Sequence, residues 1–388
     1  MQKRTFKRYA PAIIAAAATA IVLVGCSAPG TSTGTTSSTK GPIKVALVDA
    51  QSGQSSSLGG WELQGVNLAI KQANAKGGVD GRKIQLTVYD DAGDPTTGTN
   101  LATKISTDGN IFMFGTAESG VAIAMAPILK SEGIPFITSG TSPALPALND
   151  SMLFLNSPSS AVFDTSIATY LKSKNLTKVA MISNNGAYGA GEHSAFTAAL
   201  KANGVTPLTD QIVTPTQTDF SAALQAIRDT NPQVIFIGAE EVESGLIAKQ
   251  ARQLGINAVF AGSSPMSTPL FVNTAGKDVA SGSIVATPYF GNDYNAQTKA
   301  FAKAFQNEYS VAPELHGAKA YDGANIVIQA LKNSKVATGQ KLADAIRAVK
   351  YKGLVGDFSF DAQGLGVHTV HIGLIGADGT LAPVDASK

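Results

Sequence analysis

The chain has 388 residues, of which 44% are hydrophobic, 15% charged and 7% aromatic. This length and apolar content can support more than one hydrophobic core, which excludes a disordered tail and a small disulfide-stabilised domain. The net charge is +2, but four basic and no acidic residues precede Cys26, leaving 26 basic against 28 acidic residues. Without a basic patch to neutralise phosphates, no nucleic-acid partner is expected. Cys26 is the only cysteine, which excludes an internal disulfide and a cysteine-built zinc site.

The N-terminal segment has the pattern of an export signal. Basic residues precede an apolar run at residues 13–24, which as a helix spans about 18 Å and is too short for a hydrocarbon core about 30 Å thick. The run ends in Leu-Val-Gly-Cys at residues 23–26, which resembles the lipobox of bacterial lipoproteins. We therefore expect residues 1–25 to be a lipoprotein signal peptide. Lipid on Cys26 then holds the protein on the outer face of a membrane.

A polar tether follows the signal. Residues 27–41 contain nine Ser or Thr, three Gly and one charged residue, a composition that cannot bury enough apolar surface to fold. Residues 26–41 are therefore interpreted as a lipidated cysteine with its linker.

The remaining sequence alternates short apolar strands with amphipathic helices, which is typical of parallel α/β sheets. Strands are predicted at residues 44–48, 84–88 and 111–114. The pattern then restarts with a strand at 178–182, a glycine-rich turn at 186–191 and a buried strand at 234–237. Residues 44–77 and 178–204 therefore form a weak internal repeat, which predicts two similar lobes. Ligands bind beyond the carboxyl ends of such strands, so the interlobe cleft is the predicted site.

Several loops resemble one protein family. They are residues 74–84 with Asp90-Asp91, residues 115–127, residues 133–143, residues 188–191 and residues 231–236. In this order they resemble the branched-chain amino-acid type of type I periplasmic solute-binding proteins, over essentially all of residues 42–388. The resemblance implies a monomer that captures a small polar, carboxylate-bearing solute outside the cytoplasm. It also implies delivery of that solute to an ABC permease by closure of two lobes, with no cofactor.

The family fold implies two Rossmann-like lobes with parallel sheets, joined by three crossings. We place the crossings near residues 156–160, 286–291 and 353–357. The expected first lobe is residues 42–157 plus 289–354, and the expected second lobe is residues 158–288 plus 355–388.

The resemblance also implies the site. In that family, first-lobe hydroxyls and main-chain N–H groups hold the ligand carboxylate, and an aromatic residue and an acid close over it. At the matching positions, Ser119 precedes a predicted helix at 121–129, whose positive end favours an anion. Ser139 and Thr141 follow a predicted strand and add donors, and Tyr188 falls on the aromatic position of the second lobe.

Two positions depart from the family pattern. Where amino-acid binders place an acid for the ligand ammonium, this sequence has Ser263 and Ser264, and where leucine-binding relatives carry a tyrosine it has Glu240. Either Glu240 takes the cation-binding role or the ligand has no ammonium group, so amino acids, amides and organic acids all stay open. Trp61, the only tryptophan, is expected either to line the cleft from a loop or to cap the next helix. Glu118 is interpreted as a solvated residue at a helix start.

Catalytic motifs are missing from the sequence. His368 and His371 lie three residues apart in a predicted strand and therefore on opposite faces, which excludes a shared metal. The glycines at 186–191 do not have dinucleotide-binding spacing. We therefore expect neither an enzyme nor a metal site, and a secreted hydrolase is the least favoured hypothesis. The main alternative to transport is a ligand-sensing lipoprotein whose closed form is read by a membrane receptor.

Overall fold

The computed structural model describes residues 41–291 and 295–384. Strands and helices alternate along the chain and build two largely parallel sheets, which confirms the predicted α/β class. Cys26 and most of the tether lie outside the described residues. Within the described ranges, no helix combines the length and the apolar character that a membrane crossing requires.

Five parallel strands and their connecting helices come first. They are β1 (Ile43–Asp49), α1 (Ser56–Ala75), β2 (Ile84–Asp90), α2 (Pro95–Thr107), β3 (Met113–Phe114), α3 (Ser119–Ser131), β4 (Phe136–Thr138), α4 (Ala144–Ala147) and β5 (Leu153–Leu155). The sheet has the spatial order β2-β1-β3-β4-β5.

The next segment repeats this arrangement. It comprises α5 (Ser160–Ser173), β6 (Val179–Asn184), α6 (Ala187–Ala202), β7 (Asp210–Val213), α7 (Ser221–Arg228), β8 (Val234–Gly238), α8 (Glu241–Gln253), β9 (Val259–Gly262), a 3₁₀ turn (Ser264–Ser267), α9 (Pro269–Ala275), α10 (Lys277–Ala280) and β10 (Ile284–Thr287). Its parallel strands have the order β7-β6-β8-β9-β10, so β6 occupies the place that β1 has in the first sheet.

The last part of the chain adds three helices, a third, small sheet and two strands of the second sheet. They are α11 (Ala296–Tyr309), α12 (Leu315–Asn333), α13 (Gly339–Arg347), β11 (Lys350–Gly353), β12 (Gly356–Phe360), β13 (Gly366–Val367), β14 (His371–Ile375) and β15 (Leu381–Pro383). β11, β12 and β13 form a small antiparallel sheet, whereas β14 pairs antiparallel with β10 and carries β15 beside it.

Both large sheets are buried on two faces, which explains their continuous apolar strands. Side chains alternate between the faces of a strand, so Val45 and Leu47 of β1 enter one core while Ala46 and Val48 enter another. β8 does the same in the second sheet, where Ile235 and Ile237 face away from Val234 and Phe236. We call the five-stranded sheet with its helices the first lobe, and the seven-stranded sheet with its helices the second lobe.

The third passage between the lobes lies further along the chain than the sequence suggested. Residues 355–367 were expected in the second lobe, but Val355, Phe358 and Phe360 pack in the first-lobe core. Phe360 contacts Phe154 edge to face, with ring centroids 5.0 Å apart. The chain therefore returns to the second sheet between β13 and β14. The stretch around His368 and His371, expected as one strand, is divided by this passage.

Helix α12 crosses α1 at unusually close range. A Cβ atom on Gly65 would lie only 2.2 Å from the carbonyl oxygen of Gly317, so the backbones of the two helices touch where both residues lack a side chain. This contact positions the N-terminal part of α12 next to the loops that follow β3 and β4.

Candidate functional site

A small cavity of about 20 Å³ lies where loops of the two lobes meet, and we call it the inner cavity. Its lining includes six of the seven binding residues that the sequence predicted: Ser119, Ser139, Thr141, Tyr188, Glu240 and Ser264. They come together because the carboxyl ends of parallel strands, with the helix starts that follow, meet at one edge of each sheet.

The three first-lobe hydroxyls are arranged to donate. Ser119 Oγ accepts from the Ser142 N–H at 3.4 Å, Ser139 Oγ accepts from Asn156 Nδ2 at 3.1 Å, and Thr141 Oγ1 accepts from Ser160 Oγ at 3.4 Å. In the described part of the chain none of these three hydroxyls donates to another protein group. A hydroxyl that already accepts keeps its hydrogen for a ligand acceptor. Ser119 is also the first residue of α3, so the positive end of that helix reinforces the attraction for an anion.

The second-lobe wall contains an aromatic ring held by a buried polar chain. The Tyr188 hydroxyl lies 2.8 Å from Ser263 Oγ, which in turn donates to Glu192 Oε2 at 2.7 Å. These bonds fix the ring of Tyr188 at the start of α6, facing the inner cavity. Neighbouring Ser264 is 5% exposed, and its Oγ has no hydrogen-bond partner among the described residues. Ser264 therefore offers an unused polar atom to a ligand.

Two basic side chains of α12, which were not predicted from the sequence, also line the inner cavity. Lys319 is 2% exposed and its Nζ donates to the Ser139 carbonyl at 3.3 Å. Burial lowers the pKa of Lys319, although the carboxylates of Glu62, Glu314 and Glu241 oppose that change. A buried ammonium beside three hydroxyl donors is a strong partner for a carboxylate. One signal was available, because Lys319 is an isolated charge in the run Gly-Ala-Lys-Ala.

The other, His316, lies between Trp61 and the cavity. Its Nδ1 is 3.0 Å from Glu314 Oε2 and its Nε2 is 3.9 Å from Glu241 Oε1. Burial alone would lower the pKa of His316, but Glu314 and Glu241 outweigh it and the pKa is raised.

Trp61 does not line the cavity. It lies within α1 rather than in the preceding loop, because the helix begins at Ser56. Its ring stacks on that of His316, with centroids 6.5 Å apart and an interplanar angle of 9°. Trp61 therefore supports the imidazole from behind, which corrects the expectation that it is a wall of the cleft.

A wider space adjoins the inner cavity, and we call it the outer chamber. It has a volume of about 320 Å³ and shares Leu58, Tyr188, Glu240 and Glu241 with the inner cavity. Glu118 also lines it, and Ser55 Oγ donates to the Glu118 carboxylate. Glu118 directly precedes α3, as expected for a helix-start residue, but it is half-buried and hydrogen-bonded rather than solvated.

The carboxyl groups along this space perturb one another. Burial, together with the negative charges of Glu241, Asp91 and Glu243, raises the pKa of Glu118 to about 6. Burial and then the charge of Glu118 raise the pKa of Glu240 well above its usual value. Acids from opposite lobes therefore face each other across a site that excludes much of the solvent.

Across residues 41–291 and 295–384, no three or more His, Asp or Glu side chains are placed to hold a metal ion. What the site offers is convergent donors, aromatic and apolar walls, and acids at the interlobe junction. This is the chemistry of a protein that encloses a small polar molecule between two lobes.

Comparison with known proteins gives the same result. The sequence profile described as "Periplasmic binding protein" matches residues 42–380. The chain belongs to this family of periplasmic binding proteins. The prediction of a type I periplasmic binding protein is thereby confirmed, as are a binding rather than a catalytic role and a place outside the cytoplasm.

Individual relatives are of the branched-chain amino-acid type. The Leu/Ile/Val-binding protein BraC3 of Rhizobium johnstonii is 32% identical over 244 residues. The match covers 62% of this chain and 66% of BraC3, which is just under two thirds of that protein. A leucine-, isoleucine-, valine-, threonine- and alanine-binding protein of Pseudomonas aeruginosa is 26% identical, covering 83% of this chain and 86% of its own length. LivJ from Streptococcus pneumoniae, whose crystal structure contains isoleucine, has 26% sequence identity to this chain. It superposes with a TM-score of 0.81, over 88% of this chain and 97% of LivJ.

Proposed function

We propose that this protein captures a small carboxylate-bearing solute of the amino-acid class outside the cytoplasm and delivers it to an ABC permease. The observation that carries the proposal is the convergence of Ser119, Ser139, Thr141 and Lys319 on one enclosed cavity. Three unused hydroxyl donors, a helix N-terminus and a buried ammonium match the two oxygens of a carboxylate.

The second lobe supplies the rest of the binding surface. Tyr188 forms the aromatic wall, Ser264 offers its unpartnered hydroxyl, and Glu240 with Glu241 provides negative charge where an α-ammonium group would lie. Contacts from both lobes stabilise the form in which the lobes enclose the ligand, and that form is the one a permease would read. The names of the relatives, which refer to leucine, isoleucine and valine, support an amino acid as the ligand.

We assign residues 1–25 to the signal peptide and a lipid anchor to Cys26, which lies outside the described residues. The test is the mass of the membrane-extracted protein together with its distribution between membrane and soluble fractions. The expected result is a diacylated or triacylated Cys26, and release of a Cys26→Ser variant into the soluble fraction. An unmodified Cys26 in a membrane-free protein would refute the anchor.

Ligand capture is tested by mass spectrometry of small molecules released from the purified protein, followed by calorimetry with a panel of amino acids, amides and organic acids. A saturable carboxylate ligand, and loss of its uptake in cells that lack this chain, are the expected results. No binding across the panel would refute capture. Normal uptake with a lost transcriptional response to the same solute would favour the sensing alternative.

A further inference from the structure

The outer chamber is lined by acids without matching cations. Glu118 approaches from the first lobe, and Glu240, Glu241 and Glu243 approach from the second. No lysine, arginine or histidine belongs to the described lining of this chamber. Between the acids lie apolar surfaces of Leu58, Pro95, Val121, Pro215, Val242 and Leu270. The outer chamber therefore combines apolar walls with negative charge, whereas the inner cavity contains the hydroxyls and Lys319.

From this division, and on the basis of the proposed function, we infer that the outer chamber holds a second, cationic end of the ligand. The solute would then be a basic amino acid: its carboxylate lies in the inner cavity, its α-ammonium at the junction, and its alkyl chain carries a distal cation into the outer chamber. A basic amino acid differs from the aliphatic amino acids that appear in the names of the relatives.

Charge balance favours the second cation. His316 and Lys319 act on Glu241 from the inner cavity, so an α-ammonium is needed beside Glu240. Glu118 and Glu243 are then left without a cation in the described lining of the outer chamber, and partly buried carboxylates that lack one are costly. Because Glu118 belongs to one lobe and Glu240 to the other, lobe closure brings like charges together. A ligand cation between them favours the closed form selectively, which is the condition for ligand-driven closure.

Buried polar atoms without protein partners independently point to ligand contacts at the same place. Glu241 is 3% exposed, and its Oε1 has no hydrogen-bond partner within the described chain. The 3.9 Å from this oxygen to His316 Nε2 exceeds hydrogen-bond length. The unpartnered Oγ of Ser264 lies in the inner cavity that Glu241 shares with the outer chamber. Buried polar atoms normally have partners, so both indicate ligand contacts.

The two outer acids are held in place but retain acceptor capacity. Glu243 Oε2 accepts from Asn184 Nδ2 at 2.5 Å, and its other oxygen accepts from the Thr216 N–H. Ser55 Oγ donates to one oxygen of Glu118. A carboxylate offers about four lone-pair positions, so each acid can still accept from a distal ammonium or guanidinium.

The test compares two ligands of equal carbon skeleton. Lysine and norleucine are titrated into the purified protein by calorimetry, because they differ only in the distal ammonium. We expect lysine to bind at least about tenfold more tightly. A second series with 2,3-diaminopropionate, ornithine and lysine needs no variant, and affinity should rise as the distal nitrogen reaches further into the chamber.

Glu118→Gln should remove most of the preference for lysine, by weakening lysine binding and not weakening norleucine binding, because the variant also lacks the repulsion from Glu240 on closure. The matched control is Glu132→Gln, in an exposed residue just after the other end of α3, and it should preserve the preference. Equal binding of lysine and norleucine by the natural protein, or an unchanged preference in Glu118→Gln, would overturn the inference. If the basic amino acids fail while another carboxylate binds, only the inference is wrong. If no solute binds, the proposed function fails as well.

Discussion

Glu118→Gln also has a calculable effect on the stability of the ligand-free protein. The pKa of the Glu118 carboxyl is raised from 4.5 to about 6 in the folded state. The folded protein therefore holds this proton more tightly than the unfolded chain does. Stability decreases as pH rises from about 4.5 to about 6, because over that range folding must take up a proton that the unfolded chain has already released. At about 1.4 kcal/mol per pKa unit, the cost reaches about 2 kcal/mol above pH 6.

The variant lacks this cost because glutamine does not titrate, while its amide oxygen can still accept from Ser55. The free energy of unfolding of Glu118→Gln, relative to the natural protein, should therefore increase by about 2 kcal/mol between pH 4 and pH 7. Urea denaturation at half-unit pH intervals, without ligand and at constant salt, measures the difference. Glu132→Gln is the control and should show a difference that varies little with pH. A Glu118→Gln difference that stays constant, or changes in the opposite direction, would refute the assignment of Glu118 to a buried acidic site.

The remaining predictions concern the inner cavity and are measured by calorimetry with the solute that mass spectrometry finds in the purified protein. Ser119→Ala and Thr141→Ala should each weaken binding by about 1–3 kcal/mol, because each leaves part of a buried charge unpaired; unchanged affinity in both would exclude a carboxylate at this position. Lys319→Met should weaken binding by at least about 2 kcal/mol. The control is Lys249→Met, which replaces an exposed lysine of α8 and should have no effect. Equal losses of affinity in the two variants would indicate a nonspecific charge effect. Glu240→Gln should weaken binding of any ammonium-bearing ligand, whereas the affinity for a carboxylate ligand without an ammonium group should change by less than about threefold. A larger loss for the ligand without an ammonium group would show that Glu240 does not bind the cation.

Much of the fold was predictable because local patterns and long-range structure agree. The apolar run predicted at residues 44–48 is β1, and the run at 234–237 is β8. Both faces of each strand are buried, so its apolar residues need not alternate with polar ones. Ser119, Ser139 and Thr141 were proposed as binding residues from the family resemblance, and their place after a strand agrees with it, because parallel strands end at one edge of the sheet.

Residues that reach the site through tertiary packing were not predictable in this way. Lys319 and His316 lie on α12, far along the chain from β3 and β4, and reach the cavity because α12 crosses α1 at Gly65 and Gly317. Neither glycine signals its partner in the sequence. Trp61 was misplaced for a related reason, since the polar start of α1 reads as a loop although the structure has a helix from Ser56.

The pairing of β14 with β10 has a consequence for the order of folding. β10 ends near residue 287, yet its antiparallel neighbour is made only at residues 371–375. Until those residues have been synthesised, β10 presents an open edge to any other extended segment, including a second nascent chain. The C-terminal strands thus cover the edge of the parallel strands in the second lobe. A chain that ends before residue 371 would keep β10 as an unpaired edge strand, which favours aggregation.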